Sequence, residues 1–467
     1  KRKPSKLKTR TPSLGLAGIA SLRGKPVAPA PMASVDDLRQ KWTAAGQGHC
    51  LDFLDELPAE QRAALLKQLE SIDPRAASAT FARGTSQPPA AAAGAVSPLP
   101  DVARLADASR AERDTWRATG LAAARDGEVG LLLLAGGQGT RLGSSAPKGM
   151  YDIGLPSGKS LFRLQGEKIR ALERVAGANA GAVPWYVMTS DATDAATRAY
   201  FAAERYFGLR EDQVIFFEQA VAPAFLDGGA LALESKGRVA VAPNGNGGVY
   251  GALESSGALA DMRRRGVKHV YQYCVDNALV KVGDPEFVGL CALRGADCAS
   301  KVVPKSHAHE KVGVLALRGG QPQVVEYSEI DAATAERVDG DGRLVFSASH
   351  ICVNYFSASF LERCASELAE RMPLHVARKK IPHVDGAGVS VSPTAPNGVK
   401  LELFIFDTFP FAQTFSALEG ARADDFAPVK NAPGPGSTDS PDTARALVAA
   451  RDRARLEAAG CVVVGDG

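Results

Sequence analysis

One stretch constrains this chain more than any other: an apolar run that stops at a glycine-rich turn and is followed by two cations, LLLLAGGQGTRLGSSAPKGM, residues 131–150. The run reads as a strand buried on both faces, as in a parallel sheet. Gly136, Gly137 and Gly139 permit positive φ and leave backbone N–H groups uncovered, so a polyphosphate can approach the main chain. Arg141 and Lys148 then supply positive charge, the Arg as a fork for phosphate oxygens and the Lys as a compact point charge. A tight turn without a ligand is the plain alternative.

Two rival motifs fail at single positions. The dinucleotide fingerprint requires a glycine where Leu142 stands, and no acidic residue lies near position 157 to hold a ribose. A Walker A loop requires four residues between its glycines, whereas Gly154 and Gly158, ahead of Lys159 and Ser160, enclose three and follow no strand.

Around the loop, short apolar runs alternate with amphipathic segments. GLLLLA, segment 161–175, WYVMT, segment 193–207 and VIFF predict strand, helix, strand, helix, strand. HVYQYCV, VGVLAL, VVEYS, HICVNYF and LELFIF continue the strand series, and 357–371 reads as a further helix. The expected fold class is α/β, with a central, mostly parallel, Rossmann-type sheet flanked by helices. Ligands of such sheets bind beyond the carboxyl ends of the strands, which directs attention to the loops after LLLLA, VIFF and YQYCV.

At 467 residues the chain has room for two or three domains. Residues 1–31 carry eight Lys or Arg and no acid, so the net charge of +3 becomes −5 without them. They read as a disordered basic arm, with a transit peptide or sequence upstream of a start at Met32 as alternatives. Residues 32–125 read as a helical N-terminal region, with Leu51, Leu54 and Leu57 at helical spacing and an Ala/Pro/Ser-rich linker at 84–99. Residues 126–435 form the expected central domain, and 436–467 the start of a C-terminal region that ends early. A mildly acidic body excludes a protein built to coat nucleic acid, and no apolar run approaches the roughly 18 residues of a membrane span. The expectation is a soluble, cytoplasmic protein, its oligomeric state open.

The seven cysteines are odd in number, scattered and never spaced as Cys-x-x-Cys, which reads as reduced thiols. His307 and His309 are a close pair with no third ligand in view, so a surface loop is favoured over a metal site.

The sequence resembles the eukaryotic UDP-N-acetylhexosamine pyrophosphorylases. LLLLAGGQGTRLG followed by PKGMYDIGLPSGKSLF is similar to that family's nucleotide-binding signature, and APNGNGGVYGAL, YQYCVDN, GADCASKVV, VVEYSEI, KKIP, PNGVK and PVKNA extend the resemblance over roughly residues 36–461. It implies a glycosyltransferase-A-like central domain, Mg²⁺, UTP and a sugar 1-phosphate. Nucleotide contacts implied by the resemblance fall on Leu134, Ala135, Gly136, Gly137, Lys148, Gln219, Gly245, Asp276 and Lys400. Sugar contacts fall on Asn246, Gly313, Glu326, Tyr327, Phe404, Phe406 and Lys430. Where the family places an Asn beside the sugar, this chain has His350, ahead of Ile351 and Cys352.

Judged without the resemblance, these residues carry unequal weight. Asp276 follows an apolar run, where a carboxylate can hold Mg²⁺ against phosphate oxygens, yet a turn Asp fits equally well. Asn244–Gly248 could present N–H groups to a sugar or form a hairpin turn. Phe404 and Phe406, alternating along LELFIF, read first as core; Lys400, Lys430 and the run Arg378–Lys380 read first as surface; and His350 reads as a satisfied core histidine.

A sugar 1-phosphate is already an anionic nucleophile, so its attack on the α-phosphorus of UTP needs alignment and charge relief rather than a general base. The expected activity is therefore uridylyl transfer to an N-acetylhexosamine 1-phosphate, with Arg141, Lys148 and Asp276 as catalytic residues and Asp276 as the Mg²⁺ ligand. A broader-specificity UDP-sugar pyrophosphorylase and a non-catalytic UDP-sugar-binding protein are the alternatives.

Overall fold

The computed structural model describes residues 34–86, 94–368 and 371–464. The basic arm expected at 1–31 and the middle of the linker expected at 84–99 lie outside the described residues.

Eleven strands among the described residues build the central sheet. They are β1 Val96–Pro98, β2 Val102–Arg104, β3 Val129–Leu134, β4 Trp185–Thr189, β5 Val214–Glu218, β6 His269–Cys274, β7 Cys298–Pro304, β8 Val314–Arg318, β9 Gln321–Val325, β10 Ala348–Ser357 and β11 Phe415–Glu419. Their main path runs β2-β11-β7-β10-β6-β3-β4-β5. Along it only β10 is reversed, antiparallel to both β6 and β7, while every other neighbouring pair is parallel. The sheet is thus mostly parallel, as the alternation of elements implies.

Both faces are covered, which is why VGLLLL of β3 is apolar at consecutive positions. Leu131 and Leu133 point into one layer with Trp185, Val187, Tyr271 and Tyr273, beneath helices Arg110–Arg125, Leu161–Ala176 and Pro285–Leu293. Leu132 and Leu134 point into the other, with Tyr186, Met188 and Val270, beneath helices Val249–Ser255, Ala258–Arg265 and Ala358–Ser366. Register sets the geometry of the site. Leu134 pairs with both Cys274 and Met188, and Thr189 pairs with Glu218, so β3, β4, β5 and β6 end at one level. Their following loops share one edge.

Ser160 caps helix Leu161–Ala176 by accepting the Arg163 N–H, and Lys159 is held by Glu167 at 2.6 Å. The Walker-like decoy is therefore a helix start with its lysine engaged.

Four expectations require correction. Leu51, Leu54 and Leu57 do not share a helix: positive φ at Gly46 closes helix Val35–Ala44, and two short 3-10 turns carry Leu51 and Leu54 before Pro58 caps helix Ala59–Ser71. Part of the stretch read as linker and helix is strand, because β1 and β2 hydrogen-bond to β8 and β11 of the central sheet. VVEYS is strand only to Val325, where β9 passes into a 3-10 turn at Tyr327–Glu329. LELFIF is strand only to Glu402, and that strand belongs to a separate three-stranded sheet with Phe225–Leu226 and His375–Lys379. Beyond it Asn246 Oδ1 accepts the Ile405 N–H at 2.9 Å and Asp407 Oδ2 accepts the Phe404 N–H at 2.7 Å, which turns the chain into a 3-10 helix, Ile405–Phe411.

Candidate active site

The glycine loop leaves β3 pinned to its neighbours. The Ala135 N–H donates to the Met188 carbonyl at 2.8 Å, and Ser190 Oγ donates to the Gly136 carbonyl at 2.8 Å. A Cβ on Gly136 would lie 2.9 Å from Gln219 Oε1 and 3.2 Å from the Thr189 carbonyl, so a larger residue there would push the Gln219 side chain aside. Gly137 is exposed, and a Cβ there would meet nothing within 4 Å. Positive φ occurs at Gly143, not at Gly136, Gly137 or Gly139, so these glycines serve close approach and open space rather than the positive φ expected of them.

The loop then folds back on itself. Gly139 donates to the Ala146 carbonyl at 2.9 Å and Lys148 to the Gly137 carbonyl at 3.1 Å, while Leu142 is buried with Ile153, Leu161 and Val448. Lys148 is thereby returned beside Gly137, and Arg141 is left exposed on the intervening turn. Neither cation has a carboxylate partner or a side-chain hydrogen bond among the described residues.

Asp276 stands two residues beyond β6, after the Val275 N–H donates to the Leu134 carbonyl at 3.2 Å. Asn277 staples this loop to segment 425–429: its Nδ2 donates to the Asp425 carbonyl at 2.7 Å and its Oδ1 accepts the Ala427 N–H at 2.9 Å. The Val429 N–H donates to the Asp276 carbonyl at 2.9 Å, which sets Lys430 beside Asp276. Burial raises the Asp276 carboxyl above its ordinary range, opposed by the charges of Lys148 and Lys430. Among the described residues no group of three or more His, Cys, Asp or Glu is disposed to hold a metal, and His309 instead pairs with Glu336 at 2.7 Å. A single carboxylate does fit Mg²⁺ that arrives with phosphate oxygens and water as its other ligands.

A bulge in β10 brings a third group to this edge. Lys301 of β7 pairs with Val353 but Val302 pairs with His350, so Ile351 and Cys352 are bulged, with Cys352 at φ 54°. His350 is buried, its Nε2 lies 3.2 Å from Asn354 Oδ1, and its ring packs edge-on against Phe406 at 5.5 Å. Cys352 Sγ lies 3.9 Å from His350 Nδ1. Burial disfavours the imidazolium of His350, but Cys352, Asn354 and Glu326 outweigh it and the pKa rises. A hydrogen bond from the Cys274 thiol, then His350 and Lys430, hold the Cys352 thiol well below its usual value despite burial.

Glu326, Phe404 and Phe406 border a cavity of about 290 Å³ together with His375, Arg318 and Asp407. Phe404 stacks on His375 at 4.1 Å, and His375 Nε2 lies 3.0 Å from the buried Asp407 carboxylate. Burial, then Glu329, raises the Glu326 carboxyl, and a Cβ on Gly313 would lie 3.3 Å from Glu326 Oε1. Gly245 lies at φ 84°, and a Cβ there would fall 2.2 Å from the Leu403 carbonyl, so Gly245 and Asn246 are the clasp on the Phe404 segment.

The structure therefore gathers Leu134 to Gly137, Lys148, Gln219, Asp276, Lys430 and His350 along the carboxyl edge, and links them through Phe406 to the cavity of Glu326 and Phe404. Tyr327, next to Glu326, lines a different cavity with Lys305 and His309, and Lys400 sits mid-strand opposite Ala377. Sequence reasoning passed over Cys274, Asn277, Cys352, His375 and Asp407. Cys274 and Cys352 were findable, since each lies two positions from a residue already singled out, Asp276 and His350.

Comparison with known proteins places these features in context. A family model described as UTP–glucose-1-phosphate uridylyltransferase matches residues 98–439. UDP-N-acetylhexosamine pyrophosphorylase-like protein 1 of Homo sapiens is 47% identical over 427 residues, 89% of this chain and 84% of that protein. The UDP-N-acetylglucosamine pyrophosphorylase of Saccharomyces cerevisiae is 41% identical over 443 residues, covering 91% and 92% respectively. The crystal structure of the uridine diphosphate N-acetylglucosamine pyrophosphorylase from Trypanosoma brucei matches with a TM-score of 0.77 at 32% identity, over 91% of this chain and 88% of that one. At 20% identity the UDP-glucose pyrophosphorylase of Leishmania major shares the fold, with a TM-score of 0.57 over 80% of this chain and 77% of its own.

Proposed function

The chain belongs to the eukaryotic UDP-N-acetylhexosamine pyrophosphorylase family, and on that premise we propose that it joins UTP to an N-acetylhexosamine 1-phosphate, releasing pyrophosphate. The observation that supports this most directly is the convergence of Lys148, Lys430 and the open Gly137 turn on the half-buried carboxylate of Asp276, with no ion pair spent on either lysine among the described residues.

In this reading the uridine triphosphate lies over the Leu134–Gly137 turn, where the open Gly137 admits its phosphates and the adjacent Lys148 and Arg141 neutralise them. The sugar lies toward Glu326, Phe404 and Phe406, its phosphate drawn to Lys430. A phosphate oxygen of the sugar 1-phosphate attacks the α-phosphorus, forming the new P–O bond as the bond to the β-phosphate bridge oxygen breaks. No proton has to be removed from the nucleophile, so alignment and charge relief suffice. Asp276 is the residue that would hold Mg²⁺, which when bound supplies further neutralisation of phosphate charge. Arg141 and Lys148 stabilise the departing pyrophosphate.

No described helix is long and apolar enough to cross a membrane. A cytoplasmic location forms part of the proposal, supported by seven free cysteines, one held toward the thiolate beside the site.

The test is pyrophosphate release by the purified chain with UTP and Mg²⁺, using N-acetylglucosamine, N-acetylgalactosamine and glucose 1-phosphates in parallel. Release with the N-acetylated sugars is expected. Preference for glucose 1-phosphate would transfer the assignment to a broader UDP-sugar pyrophosphorylase, and binding without release would sink the catalytic reading.

A further inference from the structure

A second cavity, of about 500 Å³, opens where helix Arg110–Arg125, helix Leu161–Ala176, the loop 279–286 and helix Pro441–Ala458 meet. It shares no lining residue with the site described above. Six cations line it, Arg113, Arg117, Lys168, Lys281, Arg451 and Arg455, against two carboxylates, Asp284 and Glu286.

Both carboxylates are already engaged, Glu286 by Arg113 at 3.1 Å and Asp284 by the buried Lys301 at 2.6 Å. Lys281 shares Asp425 with Lys301, while Arg451 and Arg455 reach Asp452 and Asp424 at 2.8 and 3.4 Å. Two cations remain. Arg117 has no ion pair among the described residues, and Lys168 Nζ donates only to the Ala278 and Val280 carbonyls, at 3.0 and 2.9 Å. Lys168 is brought down to about 7 by burial and then by Arg451 and Arg455, with Asp452 opposing. A solvated basic helix face would spread its cations outward. Here four elements aim theirs into one concave space, and Lys168 forms no ion pair among the described residues, with Asp452 only partly offsetting the repulsion of Arg451 and Arg455.

We propose that this cavity is a binding site for a small phosphate-bearing anion of two or more charges, seated between Arg117 and Lys168 with Arg451 and Arg455 at its rim. Arginine forks suit phosphate oxygens, and the deficit of negative charge is what such a ligand supplies. Its arrival favours the ammonium form of Lys168, so binding takes up a proton near neutral pH and weakens as pH rises. The site uses none of the residues assigned to uridylyl transfer, so it stands or falls separately from that reaction.

The experiment is isothermal titration calorimetry of the full chain carrying Lys148→Ala, which weakens phosphate binding at the other site, with inorganic tripolyphosphate as probe. Binding is expected at about one site per chain, with proton uptake visible as a heat that differs between buffers of different ionisation enthalpy. Adding Arg117→Ser or Lys168→Met should weaken it at least tenfold, and Lys168→Met should abolish the proton uptake. Arg110→Ser, on the same helix but outside the cavity, should leave it unchanged. Arg117 is exposed, so its replacement leaves the fold intact and keeps the test decisive even if the Lys168 variant is unstable. Absence of binding in the Lys148→Ala chain, equal loss with Arg110→Ser, or full affinity with Arg117→Ser would each overturn the proposal.

Discussion

Asn277 Nδ2 donates to the Asp425 carbonyl at 2.7 Å, 148 positions along the sequence, and with the bond from the Ala427 N–H to Asn277 Oδ1 it ties together the two segments that carry Asp276 and Lys430. On one side stands Asp276; on the other the chain runs through Ala427 and Val429 to Lys430. Asn277→Ala is expected to leave the buried Asp425 carbonyl and the buried N–H groups of Leu279 and Ala427 unpaired, at about 1–3 kcal/mol each, and to lower the melting temperature. Because Asp276 and Lys430 would lose register, kcat should fall about 100-fold, the cost of a displacement of about 1 Å in a positioned site. An unchanged kcat would show that the two segments are held by other means.

Arg141 is exposed and free of carboxylates among the described residues, so its replacement should not disturb the fold. Arg141→Ala is expected to depress kcat more than it raises KM for UTP, as for an interaction strengthened in the transition state. Steady-state kinetics separate the cases: a rise in KM alone would make it a binding residue.

Asp276 carries a stability cost at the pH of function. Burial raises its folded pKa above the unfolded value, so its favourable contribution is present only below the unfolded carboxyl range and is lost as pH rises through the folded pKa. Asp276→Asn should therefore melt no lower than the parent at pH 7.5, and the difference should vanish in acid. Turnover should collapse. A variant that is both inactive and destabilised at neutral pH would contradict the sign of the shift.

His350 touches Phe406, which with Phe404 and Glu326 borders the cavity assigned to the sugar. His350→Asn shortens the side chain and removes the edge-on ring contact. The expected result is a change in the ratio of kcat/KM between N-acetylglucosamine and glucose 1-phosphates, with KM for UTP unchanged. Equal effects on every sugar would confine His350 to a packing role.

Lys301 is 1% exposed and bridges Asp284 and Asp425, each at 2.6 Å. Lys301→Met strands the buried Asp284 carboxylate, leaves Asp425 with Lys281 alone, and should destabilise the chain by about 3–5 kcal/mol. The two charges together hold Lys301 above its ordinary value against burial, and Lys301 with Lys281 hold the Asp284 carboxyl below its ordinary value despite burial. The Asp284 contribution is thus present above the unfolded carboxyl pKa and lost as pH falls through the folded one. Denaturant melts at pH 7 and in acid should show the penalty of the mutation shrinking in acid.

The strand-turn unit at 131–150 is legible without a structure because its causes are local: consecutive apolar residues demand cover on both faces, and clustered glycines end the strand. The order of strands and helices from residue 129 to Glu218 follows from the same short-range periodicity. LELFIF misleads for the opposite reason. Its alternation is real, but Asn246 and Asp407 take the N–H groups of Ile405 and Phe404 and bend the chain out of the sheet. The remainder depends on contacts that no window of sequence contains. Asn277 stands far from Asp425, and Cys274 far from Cys352. Gly136 is packed against Gln219 of another loop, and its own φ is not positive. Sequence by itself determined the α/β alternation, the glycine turn with its two cations and the residue types placed there, since these follow from local propensity and charge. The tertiary structure alone decided which of them meet, because register across β10, β6 and β3, and the staple at Asn277, are long-range pairings selected only when the whole sheet closes.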